Sequence, residues 1–229
     1  HIAAIIKNNF SIEAIGTRKN SINCLNIAKE FYLEDKFCEH GWQEVLEKNI
    51  DAVCICTTTS ANFEIIKQAL DKNIPTLVEK PVAWSPDSIN KLINHKNKNK
   101  IFVAYNRRYY ETIKKTKLIL ENLRGGTIFV NIPDSNPGVK QFISNGSHLI
   151  NLLQFMFGEI EVKSSSIRLN ETRTDIESVC SICENRDWKI LINAHSQIPS
   201  NFSITINSGN KVIELKPIEK LSIFKGIDI

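Results

Sequence analysis

The first hundred residues alternate short apolar runs with amphipathic stretches, and this rhythm restricts the fold more than any other feature of the chain. "SIEAIGT" (11–17), "DAVCICT" (51–57), "IPTLVEK" (74–80) and "IFVAYN" (101–106) read as strands. "SINCLNIAKEFY" (21–32), "WQEVLEKN" (42–49), "NFEIIKQALDKN" (62–73) and "SPDSINKLINHKNK" (85–98) read as helices. The last of these has Ser85 placed as an N-cap and Pro86 at its first helical position. Such an order predicts an α/β fold: a doubly wound, Rossmann-type parallel sheet covered by helices. Ligands of these sheets sit beyond the carboxyl ends of the strands. Thr17, Thr57, Thr58, Thr59, Glu79, Lys80 and Asn106 all fall at such ends.

Beyond residue 106 the pattern changes, which divides the chain into domains at 1–106 and 107–229. A helix (110–122) leads into the strand "TIFVNI", and a loop over 131–145 is expected to shape a pocket. An apolar helix, "SHLINLLQFMF" (147–157), follows; Gly158 stops it and His148 lies in its first turn. Only strand-like runs come after: "EVKSSSIRLN", "DIESVCSIC", "WKILINAHS", "NFSITINS" and "KVIELKP", the last two joined by a hairpin turn at "NSGNK". The second domain is therefore expected to be α+β, a mostly antiparallel sheet with one or two helices on a face. A sheet face of that size is usually covered, so a homo-oligomer through this sheet is expected.

Composition narrows the partners. A net charge of +4 with scattered lysines gives no clustered basic face, so nucleic acid is not expected. No apolar run approaches the roughly 18 residues that cross a bilayer, and no signal-peptide pattern opens the sequence, so a cytoplasmic protein without membrane contact is expected. Cys54 and Cys56 alternate in an apolar strand and read as pointing to one buried face. Cys180 and Cys183 form a CxxC, but residues three apart in a strand face opposite sides. The six cysteines are read as structural thiols, with no metal site.

Three segments carry a resemblance. "DAVCICTTTSANFEIIKQALDKNIPTLVEKPVAWS", "VAYNRRYY" (103–110) and "GSHLINLLQFMFGEI" (146–160) resemble, in this order, motifs of the Gfo/Idh/MocA oxidoreductases, the family of glucose-fructose oxidoreductase and inositol dehydrogenase. The likeness runs along essentially the whole chain. It implies a dinucleotide-binding first domain, a second domain for substrate binding and oligomerisation, and hydride transfer between nicotinamide and a sugar, nucleotide sugar or polyol. In that family a strand and a Gly-rich phosphate-binding turn precede the helix that "HIAAIIKNN" resembles, and a final helix follows. By this comparison the sequence is expected to be truncated at its N-terminus, and at its C-terminus as well.

The resemblance implies roles residue by residue. Lys80, between Glu79 and Pro81, corresponds to the family's catalytic lysine. An amine near a positively charged ring and partly desolvated can exchange a proton with a substrate hydroxyl; the plainer reading is a surface lysine at a strand end. His148 corresponds to a substrate-contacting or proton-transferring group, the alternative being a packed or capping histidine. The family commonly carries aspartates around this histidine, where this chain has Ser144 or Asn145, and Asn151; the carboxylate that would orient the imidazole is expected to be absent. That departure keeps a second reading open, a non-catalytic relative that binds a dinucleotide or sugar.

Thr17, Arg18 and Lys19 stand where an acidic residue would select NAD. A hydroxyl and two cations suit a 2′-phosphate, so NADP(H) is favoured over NAD(H), unless the basic pair is merely a solvated turn. Thr57, Thr58, Thr59, Asn62, Glu79, Lys80, Pro81 and Trp84 complete the expected cofactor set, although Trp84 could equally pack between helix and sheet. Asn106, Arg108, Asn145, His148 and Asn151 form the expected substrate set, and Arg108 could instead act as a brace.

Overall fold

A computed structural model describes residues 1–18, 21–134 and 138–226. Two compact units divide the chain, His1–Ala104 and Tyr105–Ile229.

The first unit opens with α1 (Ile2–Lys7) and β1 (Ile15–Gly16), then α2 (Ile22–Glu30), β2 (Phe37–Cys38) and α3 (Trp42–Val45). Next come β3 (Val53–Ile55), α4 (Thr59–Asp71), β4 (Thr76–Val78), α5 (Pro86–Ile93) and β5 (Ile101–Val103). Strands β3, β4 and β5 form a parallel sheet in that order, and β1 pairs with β2 in parallel. Apolar residues at helical spacing on α4 (Ile65, Ile66, Ala69, Leu70) are buried against Ile55, Val78 and Leu92. Ser85 caps α5, its hydroxyl accepting from the Ser88 amide at 3.2 Å.

Several strand boundaries differ from the sequence reading. The strand expected over 11–17 is only Ile15–Gly16, because its partner offers only two residues, Phe37 and Cys38. That partner was too short to leave a periodic signal. The close fit depends on Gly16, where a Cβ would lie 2.7 Å from the Trp42 Cα. Cys54 and Cys56 do share a face, but Cys54 is half-buried and Cys56 exposed rather than buried. The reason is topological: β3 is an edge of its sheet among the described residues.

The second unit contains α6 (Glu111–Leu120), β6 (Gly126–Asp134) and α7 (Val139–Phe157), then β7 (Glu161–Leu169), β8 (Ile176–Asn185) and β9 (Trp188–Ser196). It ends with β10 (Ser203–Ser208), β11 (Lys211–Leu215) and β12 (Leu221–Lys225). The seven strands form one sheet, β12-β11-β10-β6-β9-β8-β7, antiparallel except for the parallel pair β6 and β9. The hairpin between β10 and β11 turns at Gly209, whose φ of 56° suits glycine. Strand β12 went unread in the sequence. Cys180 and Cys183 face opposite sides of β8, one exposed and one buried.

Alternation in β6 buries Ile128, Val130, Ile132 and Asp134 and turns Phe129 and Asn131 to the other face. On the buried side α7 contributes Leu149, Leu152, Leu153 and Met156, spaced as one helical stripe, to the core with Ile190, Ile192, Ile204 and Ile213. The opposite face leaves Phe129 at 45%, Ile182 at 46% and Leu191 at 39% exposure.

Two expectations about this unit are corrected. The loop expected over 131–145 is mostly regular structure, since β6 runs on to Asp134 and α7 begins at Val139. His148 consequently lies in the middle of α7 rather than in its first turn. Leu152 is fully buried, so Leu152→Ala is expected to lower the unfolding free energy by about 2–5 kcal/mol. Urea titration followed by circular dichroism would measure it.

Candidate active site

The chemistry-bearing residues of the first unit gather where β3 and β4 end. Parallel pairing holds Ile55 beside Val78, and the Glu79 amide continues the ladder to the Ile55 carbonyl at 3.0 Å. Chain direction therefore delivers Thr57, Thr58, Glu79 and Lys80 to one edge. Lys80 is half-buried, followed by a cis peptide bond to buried Pro81.

Asn62 ties this edge together. It is 1% exposed in the first turn of α4. Its Oδ1 accepts from the Thr57 hydroxyl at 2.7 Å, and its Nδ2 donates to the carbonyls of Glu79 (3.5 Å) and Pro81 (3.4 Å). A side chain so enclosed positions the Glu79-Lys80-Pro81 turn instead of presenting itself to a ligand, which differs from the direct cofactor contact expected of it. The Glu79 carboxylate turns outward to the His1 ring, with 2.7 Å between Oε1 and Nε2.

Thr58 is the N-cap of α4 and its side chain makes no capping hydrogen bond. In the first turn of this 13-residue helix the Ala61 amide donates to the Thr58 carbonyl at 2.8 Å; a helix N-terminus of this kind favours an anion. A dinucleotide fits that chemistry. Thr57, Thr58, Thr59, Glu79, Lys80 and half-buried Trp84 lie on this edge or just after it.

At the end of β1 the Thr17 hydroxyl donates to the Cys24 sulfur at 3.1 Å. Hydrogen bonds with Ser21 and Thr17 hold the Cys24 thiol below its usual range. Arg18 is exposed beside this pair, and Lys19 lies outside the described residues. The Thr17 hydroxyl is thus already engaged, whereas the Arg18 side chain points to solvent.

In the second unit a turn of 3-10 helix (Asn106–Tyr109), its N-cap Tyr105 and α7 bring together three of the expected residues, Arg108, His148 and Asn151, with Tyr105 and Phe155. Arg108 Nε donates to Asn151 Oδ1 at 2.5 Å, and its guanidinium lies 5.5 Å from the Phe155 ring and 5.9 Å from that of Tyr105. Tyr105 meets the His148 ring edge-on at 5.9 Å. Burial pushes the Tyr105 phenol above its usual range, and a hydrogen bond with Ser147 pulls it partly back. Arg107 has a different task, stacking on Phe202 at 4.2 Å. Asn106 is exposed.

Asn145 donates to Asp134 Oδ2 at 3.0 Å, and Asp134 is only 4% exposed. A buried carboxylate supplied by β6 thus meets Asn145 of α7. The sequence reading missed it because Pro133 suggested a loop. The signal was present in the alternation Ile128, Val130, Ile132, Asp134.

Residues 1–106 match the Gfo/Idh/MocA family, described as an oxidoreductase family with an NAD-binding Rossmann fold. The uncharacterized oxidoreductase YrbE of Bacillus subtilis is 34% identical over 83 residues, 35% of this chain and 24% of the relative. The match therefore spans about a quarter of that relative's length.

Solved structures share the fold across both units. An oxidoreductase from Thermotoga maritima superposes with a TM-score of 0.82 at 20% identity, covering 99% of this chain and 76% of its own. The WlbA dehydrogenase of Bordetella pertussis, solved with NADH and UDP-GlcNAcA, gives 0.79 at 17% identity, covering 100% and 79%. KijD10, a 3-ketoreductase from Actinomadura kijaniata solved with TDP-benzene and NADP, gives 0.73 at 13% identity, covering 94% and 73%. Residues 1–106 are thus similar to the Gfo/Idh/MocA oxidoreductase family, and the chain's parallel sheet followed by a larger, mostly antiparallel one is the fold shared with these solved structures.

Proposed function

We propose that this chain is part of an NAD(P)-dependent oxidoreductase that moves a hydride between nicotinamide and the hydroxyl- or carbonyl-bearing carbon of a sugar, nucleotide sugar or polyol. The observation that carries this reading is the Glu79-Lys80-Pro81 turn, anchored by Asn62 at the ligand edge of a sheet within the matched segment. The nicotinamide dinucleotide would supply the hydride-accepting or hydride-donating ring. Thr57, Thr58, Thr59, Glu79, Pro81 and Trp84 would hold and orient it, and Lys80 Nζ would exchange the proton of the reacting hydroxyl. The relatives crystallised with UDP-GlcNAcA and with TDP-benzene support a nucleotide-sugar substrate.

For the second unit we assign substrate binding to Arg108, Asn106, His148, Asn151 and, through Asp134, Asn145. Arg108 is held by Asn151 and by two rings, which fixes its planar fork of donors for a sugar hydroxyl or carboxylate. His148, packed edge-on against Tyr105, would bind or relay the proton of a substrate hydroxyl.

The reading is tested by following the nicotinamide absorbance with NADPH or NADP and a panel of sugars and nucleotide sugars. Turnover is expected with at least one of them, and Lys80→Ala is expected to lower kcat by about 100-fold or more. Full turnover in that variant, or binding without turnover across the panel, would overturn it.

Cofactor preference rests on Arg18, exposed at the end of β1, whose guanidinium suits a 2′-phosphate. NADP is expected to bind more tightly than NAD, and Arg18→Glu to reverse the order in a fluorescence titration.

The open face of the second unit's sheet, with Phe129, Ile182 and Leu191 exposed, is assigned to a second copy of this chain. Sedimentation analysis should give a homo-oligomer for the natural chain and a monomer for Leu191→Asp.

A further inference from the structure

We propose that Cys54, Cys56 and His1 form a binding site for a thiophilic divalent cation such as Zn2+, with Glu79 orienting the imidazole. No part of the oxidoreductase reading is needed for it.

The site is made by strand geometry. Cys54 lies in β3 and Cys56 directly follows its last residue, Ile55; two residues apart along extended chain, they project to one side, with their sulfurs 3.6 Å apart. Tetrahedral zinc with Zn–S bonds of about 2.3 Å places two sulfurs about 3.8 Å apart, so the pair is nearly preset for one ion. A ring nitrogen of His1 completes a group in which all three donor atoms lie within 4.8 Å of one another. Thiolate and imidazole together select zinc-like ions over magnesium or calcium.

Two further observations point to a ligand. Cys56 is exposed and Cys54 half-buried, so the pair is accessible to an ion from solvent. The His1 ring is held by a carboxylate, Glu79 Oε1 at 2.7 Å. This is the carboxylate–histidine pairing that commonly supports a metal-bound imidazole. Among the described residues, His1, Cys54 and Cys56 are the group of His, Cys, Asp or Glu donors that converges in this way.

Chemistry and access are consistent. Binding releases both thiol protons to solvent and leaves a Zn2+ dithiolate of zero net charge. Three protein ligands leave a fourth tetrahedral position open, as exchangeable zinc sites do. Cys56 directly precedes Thr57, so the ion would occupy the same sheet edge as the residues assigned to the dinucleotide.

The test is Co2+ titration of the reduced, chelator-treated full chain without cofactor. One equivalent is expected to give a thiolate-to-cobalt charge-transfer band and the intense visible bands of tetrahedral coordination, both removed by Zn2+. Cys54→Ser and Cys56→Ser should each abolish the charge-transfer band, Cys180→Ser should retain it, and Glu79→Gln should weaken binding about 10-fold. Circular dichroism establishes that each variant is folded. A folded chain that gives no band, or a band that survives the double Cys54→Ser/Cys56→Ser substitution, would overturn the proposal. Because no cofactor or substrate is present, these outcomes are independent of turnover.

Discussion

Parallel pairing of β3, β4 and β5 is the constraint from which the first unit follows. Parallel neighbours cannot be joined by a hairpin, so each connection must cross over, and α4 and α5 are those crossovers. Their buried faces meet Ile55 and Val78 and remove the sheet's core side from water. The same direction of travel brings every carboxyl end to one edge. Thr57, Glu79 and Lys80 share that edge because the chain has no other way to build the sheet. Asn62 then converts proximity into geometry, since one buried amide at the start of α4 holds carbonyls at the end of β4. Burying that amide would be costly without partners, and its two carbonyls and the Thr57 hydroxyl satisfy it.

In the second unit one helix has two tasks. On α7 the stripe Leu149, Leu152, Leu153 and Met156 enters the core, while Ser144, His148, Asn151 and Phe155 form a neighbouring stripe one-third of a turn away. The core stripe fixes the helix against rotation, and the second stripe inherits that precision. Asn151 and Phe155 both engage Arg108, and His148 meets Tyr105. Asn145 lies nearer the core side, which is why it reaches Asp134 on the sheet beneath.

Long elements with one dominant period were legible in the sequence, and so was the edge that collects Thr57, Glu79 and Lys80. The failures have particular causes. Strand β2 is two residues long and carries no period. The start of α7 was hidden because 131–145, with Pro133, Pro137 and Gly138, read as one loop. Gly146 in a helix costs about 1 kcal/mol, and Phe142, packed against the core, lies in the turn before it. Asp134 was hidden by Pro133, although strand alternation passes through both. Cys54 and Cys56 were read as buried because the strand's composition is apolar; composition does not reveal that β3 lies at an edge of its sheet among the described residues. In each case a local residue preference was outweighed by what the rest of the fold placed beside it.

The edge of the first unit thus offers two kinds of chemistry within a few residues, amides and hydroxyls for an anion and thiols with an imidazole for a soft cation. These would seem opposed, because the N-terminus of α4 carries partial positive charge that disfavours a cation by about 0.3–1 kcal/mol. The opposition disappears when protons are counted. A divalent ion on Cys54 and Cys56 displaces two protons, so the assembled group is neutral. A phosphate and a metal dithiolate would then compete at this edge for space and not for charge. Affinity for one would fall when the other is bound by steric exclusion alone, with little dependence on ionic strength.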